Sequence, residues 1–286
     1  MSKSIYTYMN TAVCFTVTVA LIGIFAIFTL VLTKRRKFKN PCHLPVHTGN
    51  LNYRSLIGRH SFGSKDSSCM PKILVLIITS DANARWQNEY KFYLDRISRN
   101  NFMNITFKFV QCSTAAEGPI HLNMQCSESF IPGILQKSVL AIKKELKHFD
   151  FFVRTNLSTY IDCERLQNMI AEYQFHEGPL YTGGLLFDWG ISGTSIVMNQ
   201  KAADVLVSAY SKIKDKNVPD DVVIGEILKR YLHYTTEFEI MYWNFDLSIF
   251  DNFRQFSLKK TPFMRLRPPE DRIEMQPIYD AILNLT

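Results

Sequence analysis

The stretch that most constrains the fold of this chain is Phe149–Ile161, FDFFVRTNLSTYI. It begins as a short apolar run that is typical of a strand buried on both faces of a sheet, and it ends in small polar residues from Arg154 to Thr159. Ligands of open α/β sheets collect just beyond the carboxyl ends of the strands. The stretch therefore indicates a binding site or, more simply, a strand followed by a Ser/Thr helix cap.

The residues before this stretch alternate between apolar runs and helical periodicity. Lys72–Thr79 and Ile105–Val110 have the composition of buried strands. Apolar residues recur at helical spacing from Trp86 to Ile97, and a second helix is predicted from Pro132. Its apolar face is expected to hold Ile134, Leu135, Val139, Ile142 and Leu146, with Lys137, Lys143, Lys144 and Glu145 lying off it. This order predicts an α/β fold with a mostly parallel central sheet flanked by helices.

The second half of the chain has glycines beside short apolar segments, at Gly183, Gly184, Gly190 and Gly193. Such glycines mark close approach of the backbone to another backbone or to a ligand, or they simply form turns. A strand is predicted at Ile196–Met198 and a helix from Asn199. Another helix is predicted to start after Pro219, with Asp220 in its first turn, and Phe238–Phe245 is predicted to be a late strand.

The N-terminal part of the chain contains an uncharged apolar segment, Ala12–Leu32, that is long enough to cross a bilayer as a helix. The basic residues 34–37 follow it directly. This favours an uncleaved anchor over a signal peptide, whose apolar core is shorter and ends at a small-residue cleavage site. The sequence therefore predicts a short tail over 1–11, a transmembrane helix over 12–33, a basic stem over 34–70 and a folded domain over 71–286.

The net charge of +7 comes in large part from the cluster beside the apolar segment, which suits anionic lipid headgroups. No zinc-finger spacing or basic–aromatic alternation indicates a nucleic-acid partner. By the positive-inside rule the same cluster would place the domain in the cytosol. Of the six cysteines, five lie outside the membrane segment, and they could form up to two disulfides in an oxidising lumen or stay reduced in the cytosol.

Three segments, Arg154–Tyr160, Gly190–Met198 and Pro219–Gly225, resemble in order and spacing the fringe-like beta-1,3-glycosyltransferases, which have an A-type glycosyltransferase fold. In that family a strand ends in an acidic DxD-type motif, a Ser-Gly-Gly-like turn leads into an apolar strand, and an acidic Asp-Val-x-x-Gly segment opens a helix. The sequence DDVVIG from Asp220 is similar to the last of these. The combination of PGILQK from Pro132 with RTNLS is also similar to hypothetical glycosyltransferases of large DNA viruses.

The resemblance implies a membrane-anchored glycosyltransferase, with its domain in the lumen of the secretory pathway, that transfers a sugar from a UDP-sugar to a glycan or glycoprotein hydroxyl with inversion. Asp221 would be the general base, although acidic residues at a helix start are also favoured by the helix dipole. The implied donor-binding residues are Thr79, Ser80, Asp81, Arg154, Thr155, Asn156 and Ser158. The implied acceptor side of the pocket is Gly184, Trp189, Ser192, Gly193 and Asp220.

The chain departs from the family at Asn156-Leu157-Ser158, where the metal-binding carboxylates should fall. Asn and Ser are poor ligands for Mg²⁺ or Mn²⁺, and the nearest carboxylate is Asp162. Three explanations stay open. In the first, the enzyme is metal-independent and cations balance the charge of the diphosphate. In the second, another carboxylate holds the metal. In the third, catalysis has been lost. The candidate cations are Arg154, Arg265, Arg267 and Arg272.

Loss of catalysis would leave a membrane-tethered glycan-binding or scaffold protein, and a membrane-anchored structural protein of another fold is the third alternative. Asn156 is also a formal glycosylation sequon, and a glycan there would block the pocket that the resemblance implies. The sequence leaves the sugar, the acceptor and the oligomeric state open.

Overall fold

The computed structural model describes residues 70–79, 87–99, 102–114, 118–185, 190–213, 217–231, 235–238, 240–244, 246–259, 261–266, 278 and 280. The predicted tail, transmembrane helix and nearly all of the stem lie outside these residues, as do Ser80, Asp81 and Trp189. Within the described ranges, no helix combines the length and the hydropathy that a membrane crossing requires.

The chain forms ten strands and six helices within its described part: β1 (Ile73–Ile78), α1 (Gln87–Ser98), β2 (Ile105–Cys112), β3 (His121–Met124), α2 (Gly133–Glu145), β4 (Phe151–Asn156), β5 (Thr159–Ile161), α3 (Cys163–Tyr173), β6 (Tyr181–Gly184), β7 (Ile196–Asn199), α4 (Gln200–Tyr210), α5 (Asp220–Tyr231), β8 (Thr235–Phe238), β9 (Met241–Tyr242), α6 (Ile249–Leu258) and β10 (Phe263–Arg265). A seven-stranded sheet has the order β3-β2-β1-β4-β7-β6-β8, and β5, β10 and β9 form a smaller sheet. The predicted strands and helices of the first half, and the helices after Asn199 and Pro219, are confirmed.

The prediction of a single late strand at Phe238–Phe245 is wrong. Phe238 ends β8, which pairs with β6 in the large sheet, whereas Met241 and Tyr242 form β9 and pair with β10 in the small sheet. The apolar character of this segment therefore comes from two strands that belong to different sheets. A single run of apolar residues does not reveal such a change of partner.

The large sheet is mixed, which corrects the prediction of a mostly parallel sheet. The pairs β1–β2, β1–β4, β2–β3 and β6–β8 are parallel, but β7 runs antiparallel to both of its neighbours, β4 and β6. Antiparallel neighbours need no crossover helix between them. An antiparallel bridge between Leu185, just after β6, and Ile191, shortly before β7, joins the two segments of the chain that connect these strands. Because β7 is reversed, its first residue, Ile196, lies opposite Arg154 near the carboxyl end of β4.

Helices cover both faces of the sheet because successive side chains of each strand point to opposite faces. Ile73, Val75 and Ile77 of β1 pack in one cluster with residues of α1 and α3. The alternate residues of β1, Leu74, Leu76 and Ile78, pack in a second cluster with residues of α2, α4 and α5. Burial on both faces explains why β1 is an unbroken apolar run rather than an alternating one.

Two residues of α2 that were predicted to lie off the apolar face are buried instead. Lys137 is 2% exposed and Glu145 is 6% exposed. Each is paired with an opposite charge, Lys137 with Glu128 at 2.6 Å and Glu145 with Lys108 at 2.7 Å. Charged side chains are almost never buried unless they are paired, so these two ion pairs account for the difference.

The polar stretch after β4 forms a turn and a short strand before the next helix begins. Asn156 Oδ1 accepts hydrogen bonds from the Ser158 amide at 3.1 Å, the Ser158 hydroxyl at 2.9 Å and the Thr159 hydroxyl at 3.0 Å. The chain then enters β5, which pairs with β10. The helix cap comes only at Asp162, whose Oδ1 accepts from the Arg165 amide at 3.1 Å.

A disulfide joins Cys112, at the end of β2, to Cys126, and Cys163 is a buried free thiol. The sequence had left the pairing open, because spacing alone does not determine which cysteines meet. Cys112 and Cys126 meet because β2 and β3 are neighbours in the sheet and the chain passes Cys126 two residues after β3 ends.

Candidate functional site

Arg154 connects three segments of the chain at the carboxyl end of β4. Its side chain is 5% exposed, and a buried guanidinium needs partners for its charge. Nη2 lies 2.6 Å from Oδ2 of Asp220, in the first turn of α5. Nη1 donates a hydrogen bond to the carbonyl of Gly193, in the turn that enters β7. One side chain therefore joins β4, this turn and the start of α5.

The turn before β7 fits closely around Arg154. A Cβ atom at Gly193 would lie 3.0 Å from the guanidinium carbon, so a side chain there would displace Arg154. The neighbouring Thr155 hydroxyl donates to the Thr194 carbonyl at 2.8 Å. The Ser192 and Thr194 hydroxyls lie 3.1 Å apart and are both buried. These contacts fix the direction in which the Gly193 amide points.

Gly184, the last residue of β6, also binds this turn. Its carbonyl accepts a hydrogen bond from the Ser192 amide at 2.8 Å, and its amide donates to the Ser195 hydroxyl at 3.0 Å. A Cβ atom at Gly184 would meet the Ser195 oxygen at 2.9 Å and would overlap the side chain of Ile240. Glycine is therefore required there by close packing of the backbone.

Asp221 is half-buried, and the same turn orients its carboxylate. Oδ2 accepts a hydrogen bond from the Gly193 amide at 3.1 Å, and Oδ1 accepts one from the Val222 amide at 3.0 Å. Each carboxylate oxygen can accept more than one hydrogen bond, so the group can still receive a proton donor from a substrate. Asp221 is thus a positioned carboxylate with access to solvent, the arrangement that a general base requires.

Asp220 has a different environment from its neighbour. Burial raises the pKa of Asp220 above its ordinary value of 3.8, the Arg154 guanidinium opposes this rise, and the negative charge of Asp221 adds to it. Asp220 is therefore paired with a buried cation, while Asp221 is half-buried and accepts a hydrogen bond from the Gly193 amide. Two carboxyl groups whose environments differ in this way suit different roles in one site.

The predicted donor-binding residues lie at the adjoining strand ends. The pairing of Ile78 with Asn156 places Thr79 beside the end of β4. The Thr79 amide donates to the Val110 carbonyl at 3.0 Å, and the Thr79 side chain is buried. Ser158 is also buried and its hydroxyl bonds to Asn156, so the polar groups of this edge hold the turn in shape. Ser80, Asp81 and Trp189 lie outside the described residues.

The described residues at this edge do not fit a divalent metal. Three donors already surround Asn156 Oδ1, Asp220 is paired with Arg154, and Asp162 caps α3 with its carboxylate 3.4 Å from Arg165 Nε. In the part of the chain that the structure describes, no group of three or more His, Cys, Asp or Glu side chains could hold a metal ion.

The sequence did not reveal Lys137 and Glu128 as members of this edge. The Lys137 ammonium donates to the Thr79 carbonyl at 2.6 Å and pairs with Glu128. The sequence does carry a signal, because the small residues Ser138 and Ala141 lie beside Lys137 on α2. Small residues on a helix face indicate close packing, and a lysine among them is a candidate for a buried ion pair.

No family model matches this chain, and no curated protein matches it. Three solved structures have an architecture similar to that of this chain. A glycosyltransferase involved in glycosylation of the major capsid of PBCV-1 has a TM-score of 0.45 and 8% identity, over 75% of this chain and 100% of that one. A putative nucleotide-diphospho-sugar transferase from Desulfovibrio desulfuricans G20 has a TM-score of 0.37 and 15% identity, over 59% of this chain and 81% of that one. The glycosyltransferase GlyE of Streptococcus pneumoniae TIGR4 has a TM-score of 0.41 and 8% identity, over 75% of this chain and 62% of that one. At such low identity and TM-score, the function of this chain has to be argued from its own residues.

Proposed function

We propose that this protein is a glycosyltransferase that moves a sugar from a UDP-sugar to a hydroxyl of a glycan or glycoprotein, with inversion at the anomeric carbon. The observation that carries the proposal is the direct contact between Arg154, Gly193 and the Asp220-Asp221 pair. These residues come from three separate segments and meet at the carboxyl end of β4, where open α/β sheets bind their ligands. They are also the segments that resemble the fringe-like family.

In the proposed reaction Asp221 takes the proton from the acceptor hydroxyl as that oxygen attacks the anomeric carbon. The bond between the anomeric carbon and the diphosphate oxygen breaks, and UDP leaves with the electron pair. Attack from the face opposite the leaving group inverts the configuration. Arg154 positions Asp221 through Gly193, because it binds the Gly193 carbonyl while the Gly193 amide binds Asp221.

We also propose that residues 12–33 anchor the protein in a membrane and that the domain lies in the lumen of the secretory pathway. The disulfide between Cys112 and Cys126 supports this orientation, because such bonds persist in oxidising compartments. The basic residues 34–37 favour the opposite orientation. In sealed microsomes, we expect the domain to be protected from added protease, and its digestion without detergent would contradict the lumenal placement.

A second candidate function is glycan binding or scaffolding without catalysis. The turn between β4 and β5 favours it, because the turn offers no carboxylate and the Asn156 oxygen already accepts three hydrogen bonds. The two functions differ in one respect that can be measured. Only the enzyme must bind a nucleotide and release it after transfer.

The experiment uses the full chain purified in detergent. We expect UDP to raise the melting temperature, with or without Mn²⁺, whereas ADP does not. A panel of UDP-glucose, UDP-galactose and UDP-N-acetylglucosamine, offered with glycan acceptors, should identify a donor from which UDP is released. No stabilisation by UDP or any other nucleotide would contradict the enzyme, and stabilisation by glycans alone would favour the second candidate.

A further inference from the structure

Lys137 is a buried cation for which the proposed reaction has no role. Its side chain is 2% exposed, although Lys143 and Lys144 of the same helix are exposed. An ammonium group loses its hydration when it is buried, so its position has to be maintained by specific partners. The Thr79 carbonyl and Oε2 of Glu128 are among these partners, each at 2.6 Å.

Glu128 extends this contact to the end of β2. Its Oε2 pairs with Lys137, and its Oε1 accepts a hydrogen bond from the Cys112 amide at 2.7 Å. Cys112 is in turn bonded to Cys126, two residues before Glu128. The disulfide therefore holds the segment that carries Glu128 against the strand end that Glu128 contacts.

The two charged residues thus hold the carboxyl end of β1 from one side. Thr79 is the residue that follows β1, and its amide is already held by the Val110 carbonyl of β2 at 3.0 Å. Lys137 binds the Thr79 carbonyl, so both backbone polar groups of Thr79 are fixed. In the proposed site this strand end adjoins Asn156 and carries Thr79, where the resemblance implies the base and ribose of the donor.

Folding stability alone does not explain such a pair, because apolar residues of similar volume often stabilise a buried site equally well or better. We propose that Lys137 and Glu128 are positioning residues that hold the end of β1 in the geometry that binds the nucleoside half of the donor. This inference rests on the proposed function, and it assigns to both residues a role that requires no contact with the ligand.

The test compares the double variant Lys137→Met/Glu128→Gln with the wild-type full chain in detergent. Removing both charges at once leaves neither member of this ion pair buried without the other, so the variant should fold. We expect the Kd for UDP and the Kd for UMP to rise by the same factor, about tenfold, the effect of losing one charge-assisted hydrogen bond. The two factors should agree because both ligands carry the nucleoside.

The matched control is Lys108→Met/Glu145→Gln, which removes the ion pair at the other end of α2. Its Kd for UDP should stay within about twofold of wild type, as for a distant independent site. In the Lys137 and Glu128 variant, the KM for the UDP-sugar should rise while kcat stays within about twofold, since the reacting groups are untouched.

The outcomes separate the inference from the function it rests on. Wild-type protein that binds no UDP contradicts the proposed function. Wild-type protein that binds UDP, together with an unchanged Kd in the double variant, contradicts only the positioning role. If the double variant does not melt cooperatively, Glu128→Gln alone decides, because its amide has one oxygen for the two donors, Lys137 and the Cys112 amide. An unchanged Kd in that variant overturns the inference.

Discussion

Asp220 and Asp221 show how adjacent residues of one type acquire different roles. Both lie in the first turn of α5, where acidic side chains are favoured by the helix dipole. Asp220 points into the protein against Arg154, and Asp221 points towards the turn at Gly193. The resemblance predicts Asp221 as the reacting carboxylate and Asp220 as part of the acceptor side of the pocket. The partner of Asp220 could not be predicted, because it is 66 positions away in the chain and meets α5 only in the folded sheet.

We expect Asp221→Asn to reduce turnover by about 10²- to 10⁴-fold while UDP still binds, because the amide cannot accept the proton of the acceptor hydroxyl. Transfer rates and the UDP-induced melting shift measure the two effects separately. Asp204→Asn, at an exposed position of α4, is the control and should behave as wild type. Wild-type turnover in Asp221→Asn would exclude Asp221 as the base.

The pH dependence of activity should reflect Asp220. Burial raises its pKa above 3.8, so on acidification Asp220 takes up its proton at a higher pH than an ordinary aspartate does. Protonation removes the counter-charge of Arg154, and we expect kcat/KM to fall in that pH range. In Arg154→Met there is no buried cation for Asp220 to balance, so the residual activity should no longer fall with the protonation of Asp220. A wild-type profile that is flat down to pH 3.8 would contradict this role.

At the scale of elements, the long buried strands could be predicted and the short ones could not. β1 and β4 are runs of apolar residues buried on both faces, which sequence composition shows directly. β5 and β9 have three and two residues, and each exists because it pairs with β10. Such strands depend on a partner that is distant in sequence, so local patterns carry little information about them.

Asn199 joins the start of α4 to the segment before β6, and its loss should lower the stability of the domain. Its Oδ1 accepts from the Ala202 amide, which caps α4, and from the Leu180 amide before β6, while its Nδ2 donates to the Gly178 carbonyl. We expect Asn199→Ala to lower the free energy of unfolding by about 2–4 kcal/mol, because a cap and two further hydrogen bonds are lost. Urea denaturation measures the change.

The control for this experiment is Ser248→Ala, which removes the cap of α6 at an exposed position. Its cost should be about 1 kcal/mol, the usual cost of losing an N-cap side chain. If Asn199→Ala costs no more than Ser248→Ala, Asn199 acts only as a cap and the contacts to residues 178 and 180 contribute nothing.

At the scale of the whole molecule, the candidate site depends on the reversal of β7. Asp221 and Gly193 were predicted as site residues from a family resemblance, and the structure places them in contact. Their joint contact with Arg154 follows from the antiparallel pairing of β7 with β4. The sequence predicted a mostly parallel sheet, in which the turn before β7 would lie at the opposite edge. Strand direction is decided by pairing across the sheet, which the local pattern does not record.

The disulfide is expected to contribute to the stability of the whole domain. Cys112 and Cys126 are 14 positions apart, and closing a loop of this length stabilises the folded state by about 3 kcal/mol in the chain-entropy description. The variant Cys112→Ser/Cys126→Ser should therefore unfold at lower urea concentration. Dithiothreitol should destabilise the wild type but not the variant. Equal stability of the two proteins before reduction would show that the bond does not support the fold.

The pairing of β4 with β7 also has a consequence for synthesis on the ribosome. β4 lies inside the finished sheet, but its neighbour on one side is made only after 39 intervening residues, 157–195. Until then the nascent sheet ends in an apolar strand whose backbone groups lack their final partners, and such edges promote aggregation. A chain that terminates prematurely before residue 196 should therefore be insoluble and depend on chaperones, although it carries most of the parallel strands.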